Sequence, residues 1–315
     1  MTAKRILFRV EGNASVGFGH FIRCVAAARI LAEDYDCCFA MGEFTPFVRD
    51  QLMCNDISEV AVECQAQYHP DDHRSDKELN FDLRNRVQPD DVVVLDGYRF
   101  GQKYRRQLKE SGVKLVQFFD EIDFHAEVDG YITPLILSAY ERATLERSCL
   151  VFDGSDGFLI RPDFYLNQSL TIAESNKTFI YVTQVEALEF FKQQPSLEDG
   201  SVLALTNATY QDACAAMGWE TLIEASADQI IASMLECNAA LLPASSVALE
   251  FLVVRMMKPC VFLTAGNQVE GFKRMVSAGY WSDANEHECQ ERAFGLIQKR
   301  LPDPAIGLRH WIGDL

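Results

Sequence analysis

Short apolar runs recur along this chain, separated by segments of helical spacing, and this alternation constrains the fold more than any other feature. Asp91–Leu95 reads DVVVL, a nearly all-apolar run of the kind found in a parallel sheet covered on both faces. Upstream, Arg5–Val10 is a β-run, and Phe21–Leu31 carries Ile22, Val25, Ala26 and Ile30 at helical spacing. Cys37–Met41 predicts a second strand, Phe47–Cys54 a helix and Val60–Val62 a third strand. Phe100–Ser111 then reads as a helix and Lys114–Phe119 as a strand. The second half repeats the pattern. It predicts strands at Thr178–Thr183, Ser201–Leu205, Thr221–Glu224, Ala239–Leu242 and Pro259–Thr264, and helices at Ala187–Gln193, Tyr210–Met217, Ser245–Met257 and Asn267–Ala278. Ser226-Ala227-Asp228-Gln229 is a capping-box pattern with Ile230, Ile231, Met234 and Leu235 on one face behind it. A last helix is expected over 286–300, crossing back to the first domain.

Repeated β–α–β alternation predicts an α/β protein of two Rossmann-type domains with parallel sheets. The ligand cleft is expected between them, at the carboxyl ends of the strands. The expected bounds are 1–150 for the first domain and 177–300 for the second. A glycine-, proline- and asparagine-bearing connection spans 151–176, and a tail spans 301–315. The length of 315 residues suits two domains.

The formal charge of −17 repels a phosphate backbone and excludes general binding of nucleic-acid polymers. An anionic small ligand must then be received by local cations and backbone N–H groups. No apolar run reaches the length of a membrane span or a signal peptide, so the expected location is cytoplasmic. Ten scattered cysteines without a CxxC pair read as reduced core residues. His69-Pro70-Asp71-Asp72-His73, within the polar stretch 65–80, fits a solvated loop better than a metal site, and no metal or other cofactor is expected.

The sharpest motif is Gly17-Phe18-Gly19-His20-Phe21-Ile22-Arg23, which follows the first strand and opens the first helix. Gly17 and Gly19 let the backbone turn tightly and approach a ligand, and the helix N-terminus offers unpaired N–H groups. The positive end of the helix disfavours an imidazolium, so His20 is expected to accept a proton. Arg23, one turn on, is placed to pair with a carboxylate or phosphate. The same residues also fit a turn followed by an N-capping histidine. Asp96, Tyr98 and Asp120 fall at strand ends facing the expected cleft, where an aspartate also serves to cap the next helix.

The segment from Ile6 to Cys24 closely resembles the start of the PseG family, hydrolases of UDP-2,4-diacetamido-2,4,6-trideoxy-β-L-altropyranose in pseudaminic acid biosynthesis. These are relatives of the MurG-like GT-B glycosyltransferases. Arg9, Glu11, Gly12, Gly17, Gly19, His20, Arg23 and Cys24 carry the resemblance. Further matches follow in order: Asp96-Gly97-Tyr98, Phe119-Asp120-Glu121, the stretch from Gly157 to Phe164, Ser226–Asn238, Leu249-Glu250 and Gly266-Asn267-Gln268. The likeness covers about 5–280. It implies a GT-B-like fold, a UDP-sugar as small-molecule partner, no metal requirement, and attack of water on the anomeric carbon with inversion. His20 is the implied base, and Asp96 or Tyr98 would orient the water or a sugar substituent. Arg9 is implied at the cleft, although a buried structural cation fits that position equally. Glu250 is implied to accept hydrogen bonds from a ribose diol, Ser245 and Ser246 to cap a helix and meet a phosphate, and Asn267 and Gln268 to contact the sugar nucleotide.

Two loops depart from the family pattern. The first strand of the second domain ends Tyr181-Val182-Thr183-Gln184-Val185-Glu186, and the later loop reads Leu242-Pro243-Ala244-Ser245-Ser246-Val247. Neither contains the glycines that let phosphates approach backbone N–H groups. Two alternatives therefore stand beside the hydrolase: a GT-B-type glycosyltransferase with another acceptor, and a non-catalytic homologue that uses an altered second domain for partner binding.

Overall fold

The computed structural model describes residues 4–12, 18–62, 83, 86–98, 100–169, 176–194, 197, 201–223, 225–285, 301 and 304–315. Gly17, the His69–His73 stretch and the expected helix over 286–300 lie outside the described residues. The chain divides into two compact units, Met1–Arg161 with Pro302–Leu315, and Pro162–Leu301.

Unit 1 begins with β1 (Arg5–Val10), α1 (Gly19–Leu31), β2 (Asp36–Met41), α2 (Pro46–Cys54), β3 (Ser58–Ala61) and β4 (Val92–Asp96). It continues through α3 (Gln102–Lys109), β5 (Lys114–Phe118), β6 (Gly130–Ile132), α4 (Ala139–Leu145) and β7 (Leu150–Phe152). The described strands form one seven-stranded parallel sheet in the order β3-β2-β1-β4-β5-β6-β7. β1 and β4 are apolar nearly throughout because both faces are covered. One face carries Ile6, Phe8, Val92, Val94 and the buried side of α1, and the other carries Leu7, Val93, Leu95 and Leu108. Reversal of the strand order between β1 and β4 makes their carboxyl ends a topological switch point, where ligands of such sheets bind.

Unit 2 contains α5 (Pro162–Leu166), β8 (Lys177–Val182), α6 (Val185–Lys192), β9 (Val202–Thr206), α7 (Gln211–Ala216) and β10 (Glu220–Ile223). It goes on with α8 (Ala227–Glu236), β11 (Cys237–Pro243), α9 (Ser246–Arg255) and β12 (Cys260–Phe262). A 3₁₀ turn (Gly266–Gln268), α10 (Val269–Ser277) and β13 (Ser282–Asp283) complete it. Its six-stranded parallel sheet runs β10-β9-β8-β11-β12-β13. The capping box at Ser226 is formed, with the Gln229 N–H donating to Ser226 Oγ and the Ser226 N–H to Gln229 Oε1. The expected helix at Asn267–Ala278 opens instead as a 3₁₀ turn, because Gln268 Oε1 accepts from Thr264 and Ala265 and tightens the entry.

The stretch 301–315, expected to be a tail, holds α11 (Pro304–Gly313), which packs against α1 in unit 1. Arg309 Nε donates to the Ile30 carbonyl at 2.8 Å, and the Trp311 ring meets Phe152 edge-on. Two glycines key it in place. A Cβ on Gly130 would lie 2.6 Å from Trp311, and one on Gly157 2.8 Å from Pro304. The sequence signal for α11 is weak because Gly307 and Gly313 dilute it, and tertiary contacts supply the stability. Cys260 departs from the expectation of reduced cysteines. It is disulfide-bonded, whereas Cys24, Cys37, Cys38, Cys54, Cys149, Cys214 and Cys237 are free. Pairing is a property of spatial proximity, which cysteine spacing does not reveal. Among the described residues, no helix is long and apolar enough to cross a membrane.

Gly130→Ala is expected to destabilise unit 1 by about 1–3 kcal/mol through overpacking against Trp311. Urea unfolding of this variant, of Trp311→Phe and of the double variant measures the coupling, which should be favourable in the double variant.

Candidate active site

The carboxyl ends of β1, β4 and β5 and the start of α1 bring four candidate residues together. β4 delivers Asp96 at its last position, where the side chain is fully buried. α1 presents His20 and Arg23 one turn apart, and Asp120 follows β5. Arg23 makes a two-pronged ion pair with Asp96, Nε to Oδ2 and Nη2 to Oδ1, both at 2.6 Å. Its Nη1 donates to Asp120 Oδ1 at 2.5 Å, and its guanidinium lies over the Phe118 ring at 5.0 Å. The buried Cys24 thiol donates to Asp96 Oδ2 at 3.4 Å.

Burial pushes the Asp96 carboxyl up, but the Arg23 charge and the hydrogen bonds from Arg23 and His20 outweigh it and hold the group below its ordinary value. Burial likewise works against the Arg23 cation, yet Asp96 and Asp120 raise it well above its ordinary value. The Cys24 thiol is pushed well up, by burial first and by Asp96 second.

An ionised Asp96 can only accept hydrogen bonds. The 2.8 Å contact between His20 Nδ1 and Asp96 Oδ1 therefore places a proton on Nδ1. Arg23 Nη2 also approaches His20 Nδ1, at 3.0 Å, because both donors converge on the same Asp96 oxygen. The neutral tautomer leaves a lone pair on Nε2. That atom has no hydrogen-bond partner among the described residues. His20 itself is 8% exposed. The arrangement is a carboxylate–imidazole pair able to take a proton from an incoming nucleophile.

Tyr98 sits edge-on to the His20 ring, with centroids 4.8 Å apart, and is 55% exposed. Its N–H donates to Glu11 Oε2 at 3.0 Å, while the Glu11 N–H donates to the Asp96 carbonyl. Between Asp96 and Tyr98, Gly97 has a φ of +154°, and a Cβ there would lie 2.4 Å from Glu11. Only glycine lets Glu11 fix the Tyr98 backbone so closely. Gly19 is the first residue of α1, and a Cβ there would meet none of the described residues within 4 Å. The N-cap residue Phe18 makes no side-chain capping bond to the first turn of this helix.

One expectation for this unit needs correction. Asp96, expected to orient water or a sugar substituent, is fully buried and engaged by His20, Arg23 and Cys24, so it presents no surface to a ligand. Arg23, placed by the sequence to pair with a carboxylate or a phosphate, pairs with two protein carboxylates. Arg9 takes the structural alternative. Its Nη1 donates to the Val10 and Ala40 carbonyls at 3.3 Å each, and its guanidinium lies over Phe100. Glu11, Cys24 and Phe118 complete the cluster. Glu11 and Cys24 stood in the motif without a role, and Phe118 left no signal beyond its strand.

In unit 2, Ser245 is the N-cap residue of α9, but its Oγ donates to the Pro243 carbonyl at 3.2 Å and caps nothing. Ser246, the first helical residue, is exposed. Glu250 is 2% exposed, so its carboxylate is set into the packing of α9 and not displayed on the helix surface. Gln268 uses its Oε1 to close its own turn, and Asn267 lies within that turn. The segments 183–184, 207–210, 244–245 and 263–265 leave the carboxyl ends of β8, β9, β11 and β12 without a lysine, arginine or histidine. Among the described residues, no group of three or more His, Cys, Asp or Glu side chains could hold a metal ion.

No family model matches the chain, and no curated protein matches it. Solved structures do. MurG from Acinetobacter baumannii superposes with a TM-score of 0.62 at 10% identity, over 99% of this chain and 100% of that one. Phytolacca americana UGT2 complexed with UDP-2fluoro-glucose and pterostilbene gives 0.60 at 10% identity, over 100% and 94%. A putative UDP-N-acetylglucosamine 2-epimerase from Listeria monocytogenes gives 0.60 at 10%, over 99% and 95%. These likenesses show the fold, which is α/β and of the GT-B type with two Rossmann-like units.

Replacing Asp96 by Asn would leave the Arg23 cation without its buried partner and should cost about 3 kcal/mol. The folded carboxyl is held low, so its contribution is present above about pH 4 and is lost as pH falls through the folded value. Urea unfolding between pH 7 and pH 2 should show this acid-side slope in the wild type and its reduction in Asp96→Asn.

Proposed function

We propose that this chain hydrolyses a UDP-activated 2,4-diacetamido-2,4,6-trideoxy sugar, releasing UDP, in the synthesis of a pseudaminic-acid-type nonulosonate. The observation that carries this reading is the Asp96–His20 pair at the head of α1, whose Nε2 has no partner among the described residues. Water is a weak nucleophile and needs a base. In the proposed reaction a water oxygen bonds to the anomeric carbon while His20 Nε2 takes its proton. The bond from that carbon to the diphosphate oxygen breaks, and its electron pair leaves with UDP. Attack opposite the leaving group inverts the centre.

Asp96 holds the Nδ1–H tautomer and steadies the imidazolium that forms. Arg23 keeps Asp96 ionised. Tyr98, exposed beside His20, is assigned to contact the sugar or the water. Gly19 supports the same reading, since no packing among the described residues demands a glycine there. The nucleotide is assigned to unit 2, through the N–H groups and the Ser246 hydroxyl at the start of α9.

The cation-free loops of unit 2 favour a second reading, a homologue whose altered second unit binds a partner in place of a nucleotide. Calorimetric titration with UDP separates the two, since no binding at millimolar UDP supports the second. A third outcome, UDP release only when a hydroxyl acceptor is added, identifies a transferase.

His20→Asn should reduce sugar release by at least about 100-fold, the scale of a general base, with the unfolding midpoint little changed. Incubation with UDP-2,4-diacetamido-2,4,6-trideoxy-β-L-altropyranose and quantification of free UDP reads this. An unchanged turnover removes His20 from the reaction.

A further inference from the structure

Three neighbouring loops at the carboxyl edge of the unit 1 sheet carry aromatic rings. The strands are adjacent in the order β2, β1, β4. Phe44 and Phe47 follow β2, Phe18 follows β1 and Tyr98 follows β4. The Phe18 and Phe47 rings meet at 4.9 Å with 60° between their planes. Phe47 is anchored from below by Phe21, at 6.3 Å, and Phe21 by the core residue Phe39, at 5.6 Å. Despite this anchoring Phe47 is 43% exposed. Phe18 occupies the N-cap position of α1, where Ser, Thr, Asp or Asn would satisfy the first N–H groups. A phenylalanine there forfeits the cap, and Phe18 is only partly buried in return.

His20 stands two residues on from Phe18 in the chain and edge-on to Tyr98. Charge sits on its other side, where one guanidinium faces the carboxylates of Asp96 and Asp120. That balance of two carboxylates to one cation disfavours an anionic group beside His20. Aromatic faces instead attract polarised C–H groups, and a pyranose ring presents a set of them on one side. Such rings with a few polar groups alongside are the usual lining of a small-ligand site.

We propose that the Phe18–Phe47 pair is the platform on which the pyranose ring of the nucleotide sugar lies, with its reacting carbon at His20. The inference rests on the nucleotide-sugar reading above. Under that reading the nucleophile is water, which needs no platform, so the occupant is the sugar of the donor and not an acceptor. The diphosphate, being anionic, is directed away from this flank.

Saturation-transfer NMR on the full chain tests it with two probes, UDP-N-acetylglucosamine and methyl 2-acetamido-2-deoxy-β-D-glucopyranoside. The pyranose ring protons of both probes should take up the most saturation. Phe47→Leu and Phe18→Leu keep apolar bulk but remove the ring face, and each should cut that saturation about threefold. Unchanged ring saturation in both leucine variants overturns the proposal, as does its absence from the wild type with both probes. Uracil protons that lose saturation in Phe47→Leu put the base on the platform and also overturn it. So does a dimer in sedimentation that Phe47→Leu dissociates. The methyl glycoside carries no nucleotide. Ring saturation in that probe alone sustains the platform while removing the nucleotide from the proposed function.

Discussion

The Asp96 carboxylate ends the central strand of a seven-stranded sheet and has no surface open to solvent. An ionised carboxylate in that position costs several kcal/mol of lost hydration unless its oxygens are matched. Arg23 matches both of them, and His20 and Cys24 add one donor each. Each of these three residues comes from α1, so the carboxylate fixes the rotation of that helix over the sheet. It also fixes which nitrogen of His20 carries a proton. The proposed chemistry depends on an electrostatic match made inside the protein before any ligand arrives.

That match has a consequence for ligand charge. Arg23 is the one cation of the Gly-x-Gly-His-x-x-Arg motif, and two carboxylates already hold it. Unit 1 therefore has no free motif cation for a phosphate. The unit 2 loops leaving β8, β9, β11 and β12 contain no cationic residue either. On a chain with a formal charge of −17, a diphosphate would be held by backbone N–H groups and the Ser246 hydroxyl. Such contacts are directional but weak, which is why UDP affinity separates the competing functions so sharply.

The alternation of strand and helix was legible because each β4-like run is apolar on both faces and each helix has a separate periodicity. His20 and Arg23 were legible as a motif, and Asp96 as a strand-end acid. Their mutual contacts were not. His20 and Asp96 are separated by 76 positions, and strand-end placement does not say whether a carboxylate turns inward or outward. Burial decided it, through the cation at Arg23. β6 and β7 were invisible because three-residue strands carry no period, and α11 because its glycines mask a helix stabilised from outside. Glu250 is a related case. A carboxylate on a helix reads as exposed unless the whole helix is enclosed, and α9 is buried at eight of its ten positions.

The glycines divide into two physical classes, and the division bears on function. Gly97, Gly130 and Gly157 are required by the fold, because a Cβ at each would strike Glu11, Trp311 or Pro304. Their presence says nothing about ligands. Gly19, the first residue of α1, has no positive φ and no described atom within 4 Å of where a Cβ would stand, and Gly101, which precedes α3, is alike. A missing Cβ at such positions lets another molecule approach the backbone closely. Gly266 shares this open environment at the entry to the 3₁₀ turn of unit 2, whereas the Ala244-Ser245-Ser246 loop does not.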